Sequence, residues 1–532
     1  MTFSHRYLIL PSMKPVSIFN DVIGPVMRGP SSSHTAAAYR LGSAARRLLG
    51  QEPVSARVVF DRNGSYARVF REQNSDLALA AGLLGWEMTD PRFFQALYFA
   101  ASHGYKFDFV TEPIEGADHP NFVQLELASF SGQKLMMKAK SVGGGAIEIV
   151  ELNGWPVFLT GDYYELLVEA PEKGASYVRK IMEREPGLLA KLEMIKSEKK
   201  AGKVLLRAAC LKPISDDERQ ELSQTEGVNF WEGEPVSFVI AGQALFKSAE
   251  EIISLASSRG ISLGRLALAY EAQLLGWSEE KVLAEISRRL DIMLDSVKEG
   301  LKNESLNLQL LEPTAGLIFQ AEKEGRLVGG SLSRAAIRAM AAEHVAASGG
   351  VVCAAPTGGS AGTIPGVIAT MVQEMNISRE KASLALLAAG AVGVVVANRA
   401  TFAAEIAGCQ VEIGAAGAMA AAAVVEACGG SVAQACDAAA ISFQNTMGLV
   451  CDLVQGICEI PCHTRNAVAA ASAFICADLI LGGYRNPIPL DETIDAVLAV
   501  GKTMPAELRV TSLGGLAVCP SALAMKKKKR KD

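Results

Sequence analysis

The chain has 532 residues, of which 49% are hydrophobic and 20% charged, and its formal net charge is -5. This length and hydrophobic content predict a globular protein with several domains. The negative charge excludes a general attraction to nucleic acid, and the one strong basic run, Lys526 to Lys531, is predicted to be a frayed, solvated tail.

The N-terminus predicts a cytoplasmic protein. Its apolar stretch Tyr7 to Leu10 is far too short for a secretory signal, and residues 1–15 are interpreted as an extension without function. All cysteines except Cys210 lie in the C-terminal third. In a reducing compartment, such a cluster indicates metal binding or buried thiols rather than disulfides.

Residues 16–160 predict an α+β domain. The run "ARVVFDRNGSYARVF" is typical of two strands around a turn, and "SDLALAAGLLGW" is typical of a helix. Further along, "KLMMKAKSVGGGAIEIVELNG" predicts two strands joined by a triple-glycine turn. Residues 161–244 then alternate strand-like and helical runs in the order of a small βαββαβ unit.

Residues 245–524 predict a large all-α domain, followed by a basic tail at residues 525–532. Its first helices open on serines that can cap them, and after Ser331 the helices become Ala-rich with glycines that allow close packing. The sixteen uncharged residues 382–397 fall short of a membrane span and predict a buried core helix. The fold prediction is therefore multidomain, and no membrane partner is expected.

The first chemical motif is "GPSSSHTAAAYRLG", in which Ser31, Ser32 and Ser33 precede a helical run and His34 follows them. Free backbone N–H groups at a helix N-terminus attract an anion such as a carboxylate. The alternative is an ordinary helix cap with a surface histidine. The spacing alone does not separate the two interpretations.

The second motif is "APTGGSAGTIPG", which begins at Ala355 and precedes another helical run. Its glycines and hydroxyl residues resemble a backbone nest for a carboxylate or phosphate, although it is neither a Walker motif nor a dinucleotide fingerprint. A tight turn between two helices is the alternative interpretation.

The third feature is the set Cys409, Cys451 and Cys462, spaced 42 and then 11 residues apart. Three thiolates at one site could hold an iron-sulfur cluster with one iron open, but this spacing is unlike that of ferredoxins. Any single cysteine in an Ala-rich core is more often a buried small side chain. A zinc site formed by the three thiols and His463 is the competing metal hypothesis.

The motifs become specific when they are taken together. The chain contains, in order, "GPSSSHT", "DHPN", "SVGGGAIEI", "GGSLSRAAIRAM", "APTGGSAGTIPG", "GCQVEIGAAGAMAAAA", "GLVCDLVQG", "IPCHTRNA" and "LGGLAVCP". This order resembles that of the iron-sulfur-dependent L-serine dehydratases, also called L-serine ammonia-lyases, with the β and α parts of that family fused in one chain. In many relatives, an ACT regulatory domain occupies the place of residues 161–244.

The resemblance implies an enzyme that converts L-serine to pyruvate and ammonia without pyridoxal phosphate. It implies a 4Fe-4S cluster held by Cys409, Cys451 and Cys462, a small amino-acid substrate, and a homodimer. The residues that would bind the substrate lie in the first two motifs: Ser31, Ser32, Ser33, Thr35, Thr357, Gly358, Gly359 and Ser360.

The sequence departs from the family where a general base is expected. Relatives have Gly-His-Gly-Thr-Asp where this chain has Glu72 to Asp76, so Gln73 replaces a histidine. His34 and His119 are the remaining candidates for the base. Some relatives also end in a cysteine that can cap the open iron, for which Cys519 is the nearest substitute here. The ACT-like segment has "APEKGAS" in place of the expected ligand loop.

Two other functions remain open from the sequence. The missing histidine motivates cluster-dependent β-elimination from another amino acid, such as L-threonine or L-cysteine. A non-catalytic amino-acid sensor, with the ACT-like segment as its output, belongs to a different class of function.

Overall fold

The computed structural model of the chain describes residues 14–302 and 306–528, and it confirms the mixed α and β class with a helical C-terminal region. The predicted extension therefore lies almost entirely outside the described residues. The elements of the N-terminal part are, in chain order, β1 (Val26–Arg28), α1 (Ala37–Leu49), β2 (Pro53–Asp61), α2 (Tyr66–Val69), α3 (Ser75–Leu84), α4 (Ala96–Ser102), β3 (Lys106–Glu112), β4 (Phe122–Ser129), β5 (Lys134–Gly143), β6 (Ala146–Leu152) and β7 (Trp155–Leu159).

One sheet organises this part, with the strand order β3-β2-β4-β5-β6-β7. Strands β2 and β3 are parallel, and the other neighbours are antiparallel. Strand β5 alternates buried and half-buried residues, as expected of a strand with one face on a core, and the triple-glycine turn joins it to β6 as predicted. Helices α1 and α3 pack on the buried face.

The prediction of two strands in "ARVVFDRNGSYARVF" is only half right. Its first half is β2, but its second half is the helical turn α2. The Tyr66 ring packs against Phe60, and its hydroxyl donates to the Ser33 carbonyl at 2.9 Å. These contacts turn the segment inward, so it does not continue as a paired strand.

The second group of elements has the predicted βαββαβ order. It comprises β8 (Tyr164–Pro171), α5 (Ala175–Met182), β9 (Leu189–Ile195), β10 (Lys203–Cys210), α6 (Asp216–Gln224) and β11 (Asn229–Gly233). The strands form one antiparallel sheet in the order β11-β8-β10-β9. The two helices share an apolar core with one face of this sheet.

The C-terminal part is a helical body. It comprises α7 (Ala249–Arg259), α8 (Leu263–Leu275), α9 (Glu279–Lys302), α10 (Ala315–Lys323), α11 (Ser331–Ala347), β12 (Val351–Cys353), α12 (Thr363–Glu374), α13 (Arg379–Arg399), α14 (Ala404–Ala407), α15 (Ile413–Ala427), α16 (Val432–Thr446), α17 (Cys462–Leu481), α18 (Leu490–Thr503) and α19 (Pro520–Ala524). The prediction of an all-α domain is thus wrong at β12, which pairs antiparallel with β1 of the N-terminal part.

Among the described residues, three helical segments are long and apolar enough to cross a membrane by length and composition: Arg379–Arg399, Cys409–Ala427 and Cys462–Leu481. Inside the protein, 78%, 89% and 50% of their apolar windows are buried. Helix α13 is therefore a core helix, as predicted for residues 382–397. The start of the basic tail also packs on the protein, because Lys527 forms an ion pair with Glu72 at 3.1 Å.

The N-terminal segment Ile18–Val22 packs on the helical body. Two glycines of α13 make room for it: a Cβ on Gly390 would lie 2.6 Å from Ile18 Cγ2, and a Cβ on Gly393 would overlap the Val22 side chain. Part of the segment predicted to belong to the N-terminal domain is thus built into the core of the C-terminal one.

Glu271 on α8 holds the same segment by hydrogen bonds. Its carboxylate accepts from the Ser17 hydroxyl at 2.5 Å and from the backbone N–H groups of Ile18 at 2.8 Å and Phe19 at 3.0 Å. Glu271 is fully buried. Burial raises its pKa to about 7, against the opposing effect of these hydrogen bonds.

This raised pKa predicts a pH-dependent stability. Because the folded protein binds the Glu271 proton more tightly than the unfolded chain does, the free energy of unfolding should fall as the pH rises from 4.5 to about 7. The loss should approach about 3 kcal/mol for a shift of this size. We expect Glu271→Gln to flatten this slope in thermal unfolding measured across that range. The exposed control Glu279→Gln should keep it, and equal slopes in both variants would contradict the assignment.

Candidate functional site

The structure brings Cys409, Cys451 and Cys462 together. Cys409 begins a short turn just before α15, Cys451 lies in the loop after α16, and Cys462 is the first residue of α17. All three side chains are buried in one cluster. The Cys409 and Cys451 sulfurs and a Glu412 oxygen lie within 4.8 Å of one another.

The electrostatic surroundings of the thiols are mixed. A hydrogen bond with Cys451 lowers the pKa of Cys409 against the effect of burial, and the Arg465 guanidinium lowers it further. The pKa values of Cys451 and Cys462 are raised well above the usual range, first by their thiol neighbours and then by burial. Arg465 is held at 3.0 Å from the Asp452 carboxylate, so a fixed positive charge lies beside the sulfurs.

The donor atoms around the thiols fit an iron-sulfur cluster better than the zinc alternative. Both ring nitrogens of the buried His463 lack a hydrogen-bond partner, and His463, unlike Cys462, is not part of the buried cluster that contains Cys409 and Cys451. Its ring instead lies 4.8 Å from that of His344. Three buried thiols without a fourth histidine ligand match the ligand chemistry of a cluster with one iron open.

The first two motifs meet each other next to the thiols. A Cβ on Gly358 would lie 2.7 Å from Ser32 N and 2.9 Å from the Pro30 carbonyl oxygen, so the two loops are in backbone contact. Asn466, one turn after Cys462, donates to the Gly359 carbonyl at 2.9 Å. The thiol-bearing helix therefore fixes the second loop, and the second loop fixes the first.

Ser31, Ser33 and Thr35 of the first motif each make a different hydrogen bond. The Ser31 hydroxyl caps the helical turn by accepting from the His34 N–H, as the helix-cap interpretation expects. The Ser33 carbonyl accepts from the Tyr66 hydroxyl, and the Thr35 hydroxyl donates to the Gln73 carbonyl at 2.8 Å. The alternative of a surface histidine is wrong, since His34 is 1% exposed.

The second motif is a closed turn before α12. The hydroxyls of Thr357 and Ser360 lie 3.0 Å apart, and the Ser360 hydroxyl also accepts from the Thr357 N–H at 3.2 Å. Thr357 also forms a side-chain hydrogen bond with Glu412, beside Cys409. The turn is thus in contact with the acid that borders the thiols.

Both candidate bases lie near Glu405, a residue that none of the sequence motifs contains. His34 Nδ1 lies 3.5 Å from a Glu405 oxygen, and His34 Nε2 lies 3.1 Å from the Ser65 hydroxyl. Asn121 donates to the same Glu405 oxygen at 2.9 Å, and its N–H donates to His119 Nδ1 at 3.1 Å. The position of Glu405, four residues before Cys409, is the one sequence signal that could have found it.

The histidines are held neutral by their surroundings. Burial lowers the pKa of His34 and of His119, and the charge of Glu405 opposes that shift in both. A neutral imidazole can accept a proton, which a general base must do. Gln73, in place of the family histidine, cannot: its buried amide donates to the Gly456 carbonyl at 3.3 Å, in the loop between Cys451 and Cys462.

Several buried polar atoms from these motifs lack a hydrogen-bond partner. They are Ser32 Oγ, His119 Nε2, Asn121 Oδ1, Ser141 Oγ and Glu405 Oε2. Buried polar groups are normally paired, so such a set is expected where a polar ligand binds. Ser141 opens the "SVGGG" motif, whose Gly143 leaves no room for a Cβ against Ala403 N at 2.6 Å.

Fold and site together define a protein with an α+β part, a small βαββαβ unit and a helical body, in which buried thiols lie next to a cluster of buried polar groups. The chain belongs to the serine dehydratase alpha chain family, whose model matches residues 191–517. That match begins within the four-stranded sheet and ends after α18. The resemblance drawn from the ordered motifs is confirmed.

Curated relatives carry matching names. The chain is 38% identical over 285 residues to the "Probable L-serine dehydratase, alpha chain" of Bacillus subtilis, covering 53% of this chain and 95% of that protein. It is 45% identical over 188 residues to the protein of the same name from Latilactobacillus sakei, covering 35% and 90%. "L-serine dehydratase TdcG" of Escherichia coli is 33% identical, covering 51% of this chain and 62% of that protein.

The contact between the two loops predicts unequal effects of two glycine substitutions. In Gly358→Ala, the new methyl group would collide with the backbone of Pro30 and Ser32. We expect this substitution to lower the free energy of unfolding by about 1–3 kcal/mol. Gly359→Ala is the matched control, because its new methyl group would meet only Glu412 oxygens at 3.8 and 3.9 Å. Urea unfolding of both variants measures the difference, and equal losses would contradict the close contact.

Proposed function

We propose that this protein is a lyase that dehydrates and deaminates L-serine to pyruvate and ammonia. The observation that carries the proposal is the convergence of three buried thiols with the two loops that are predicted to bind the substrate. The names of the relatives, "Probable L-serine dehydratase, alpha chain" and "L-serine dehydratase TdcG", support the same substrate. A cytoplasmic location and a homodimer remain predictions.

Cys409, Cys451 and Cys462 would hold a 4Fe-4S cluster, which when bound supplies a Lewis acid for the β-hydroxyl of the substrate. The Ser32 hydroxyl and the Thr357–Ser360 turn, both buried, would bind the carboxylate and amino group. Glu405 holds His34 from the Nδ1 side, and His34 Nε2, 3.1 Å from the Ser65 hydroxyl, would accept the proton of the substrate Cα directly or through that hydroxyl.

The test begins with protein purified without oxygen. We expect this protein to contain iron and sulfide and to release pyruvate from L-serine without added pyridoxal phosphate. Exposure to air should abolish both its colour and its activity. Oxobutyrate from L-threonine and sulfide from L-cysteine measure the alternative substrates, which Gln73 motivates. A colourless protein with full activity in air would refute the proposal, and serine binding without turnover by cluster-loaded protein would favour the sensor.

The His34 assignment predicts a loss of rate without a loss of metal. Because a positioned base contributes about 10²–10⁴-fold, His34→Asn should lower kcat for L-serine by about that factor while iron content stays at the wild-type level. His119→Asn is the competing variant, and the larger loss of kcat identifies the base. The exposed His103→Asn serves as the control. Wild-type kcat in His34→Asn would exclude His34.

The charge of Glu405 beside His34 predicts how the pH profile of kcat/KM should change in a Glu405 variant. Activity should rise with pH as His34 loses its proton, and this limb should lie below the usual histidine range because burial lowers the His34 pKa. Glu405→Gln removes the charge that opposes this shift, so the limb should move to still lower pH. The pH profile of kcat/KM measures it. A limb that stays in place would remove Glu405 from the role.

We also propose that β8 to β11, with their two helices, form an ACT-like regulatory domain. Its βαββαβ order and antiparallel sheet support this interpretation. A cavity of about 920 Å³ lies between this sheet and the end of α1, lined by polar groups that include Arg47, Glu165 and Arg219. Binding of amino acids to an Arg219→Ala variant, measured by calorimetry against the wild type, tests whether effectors bind there.

A further inference from the structure

Gln73 lies between the first motif and the loop that joins Cys451 to Cys462. It sits on the turn between α2 and α3, where its backbone N–H donates to the Val69 carbonyl at 2.9 Å. Its side chain is 1% exposed. A neutral amide cannot act as the base that a histidine at this position would supply. The burial of Gln73 at this place therefore calls for another role.

A line of hydrogen bonds joins the first motif to Gln73. The Ser31 N–H donates to the Thr35 hydroxyl at 3.2 Å, and this hydroxyl donates to the Gln73 carbonyl at 2.8 Å. Thr35 is fully buried. A hydroxyl has one proton to donate, so the proton of Thr35 is used within the protein. The resemblance assigned Thr35 to the substrate, whereas these bonds connect it to the turn that carries Gln73.

The side chain of Gln73 extends the line to the thiol-bearing loop. Its amide donates to the Gly456 carbonyl at 3.3 Å. Gly456 is buried, and a buried backbone carbonyl needs a donor. A Cβ on Gly456 would lie 2.9 Å from Val69 Cγ1, so the loop packs directly on the residues before Gln73. Gln73 thus contacts the first motif through its backbone and the loop through its side chain.

Other bonds hold the same loop to the helical body. The Gln455 amide donates to the carbonyls of Ala522 and Met525 at 3.0 and 2.7 Å. The Glu459 carboxylate accepts from the Leu310 N–H at 2.9 Å. These anchors do not involve Gln73. Loss of the Gln73 amide should therefore loosen the link to the α+β part while the loop stays attached to the helical body.

We propose that Gln73 is a positioning residue of the reaction, which through Thr35 and Gly456 fixes the first motif relative to the thiol-bearing loop. The inference rests on the proposed function for the reaction and on the hydrogen bonds for the link. A misplacement of about 1 Å between groups that bind a substrate and groups that act on it can lower the rate by about 10²-fold. Gln73 affects the rate in this way without touching the substrate.

The experiment compares Gln73→Met, Thr35→Val and the double variant with the wild type, all purified without oxygen. Methionine has nearly the length of glutamine but no N–H to donate, and valine keeps the shape of threonine without its hydroxyl. Gln95→Met is the matched control, because Gln95 is an exposed glutamine of the same α+β part. The measurements are kcat and KM for L-serine, iron content, and hydrogen exchange of peptides 31–36 and 454–458 in the metal-free protein.

We expect Gln73→Met to lower kcat/KM by about tenfold to a hundredfold while iron content stays at the wild-type level. Both peptides should exchange about fivefold faster, as expected when one hydrogen bond is lost. Thr35→Val should act in the same direction. The double variant should lose no more than the worse single variant, because residues of one hydrogen-bonded line are not additive. Gln95→Met should match the wild type.

A second variant keeps the test independent of folding. In Gln73→Asn the amide is one methylene too short to reach Gly456, so it should behave like Gln73→Met and replaces it if thermal unfolding shows that the methionine variant does not fold.

Three results would overturn the inference: wild-type exchange in both peptides, wild-type kcat/KM in iron-loaded Gln73→Met, or losses that multiply in the double variant. Wild-type protein without iron or pyruvate release would instead refute the proposed function, and the exchange rates of the metal-free protein would still decide the link.

Discussion

The contact between Gly358 and the backbone of Pro30 to Ser32 is the constraint on which the site depends. Because a Cβ on Gly358 has no room against this backbone, the α+β part and the helical body are in close backbone contact here. Asn466 links this contact to α17, because its side-chain amide donates to the carbonyls of both Gly359 and Cys462. A change at any of these points would separate the groups that bind the substrate from the thiols.

Acidic residues surround the thiols without being neutralised by an equal number of bases. Glu343, Glu405 and Glu412 are all buried or nearly so, and among the described residues Arg465 is the cation that acts on the three ligand thiols. Burial raises the pKa values of Glu343 and Glu412 well above the usual range. Protonated acids can donate hydrogen bonds, whereas ionised ones would repel thiolates. The surroundings of the three thiols can therefore stabilise thiolates, although several acidic residues lie beside them.

The sequence predicted the thiol set and both loops because their residues are grouped in short motifs whose order is specific. Glu405 could not be found this way, since it acts on His34, 371 residues earlier in the chain. The packing of Cys458 in the same cluster as the three thiols was not predicted, because a cysteine in an apolar run gives no sign of what its side chain contacts. The helical turn at Tyr66 follows a strand-like pattern, and only the tertiary contacts of its ring and hydroxyl decide against a strand.

The burial of Ile18–Val22 inside the helical body affects how the chain folds while it is being translated. Its partner Glu271 follows Ser17 by 254 residues, and Gly390 and Gly393 follow later still. A chain that leaves the ribosome N-terminus first must therefore keep this apolar segment unpaired while more than half of its length is made. The long sequence separation makes this contact slow to form, so the groove between α8 and α13 stays open until late in folding.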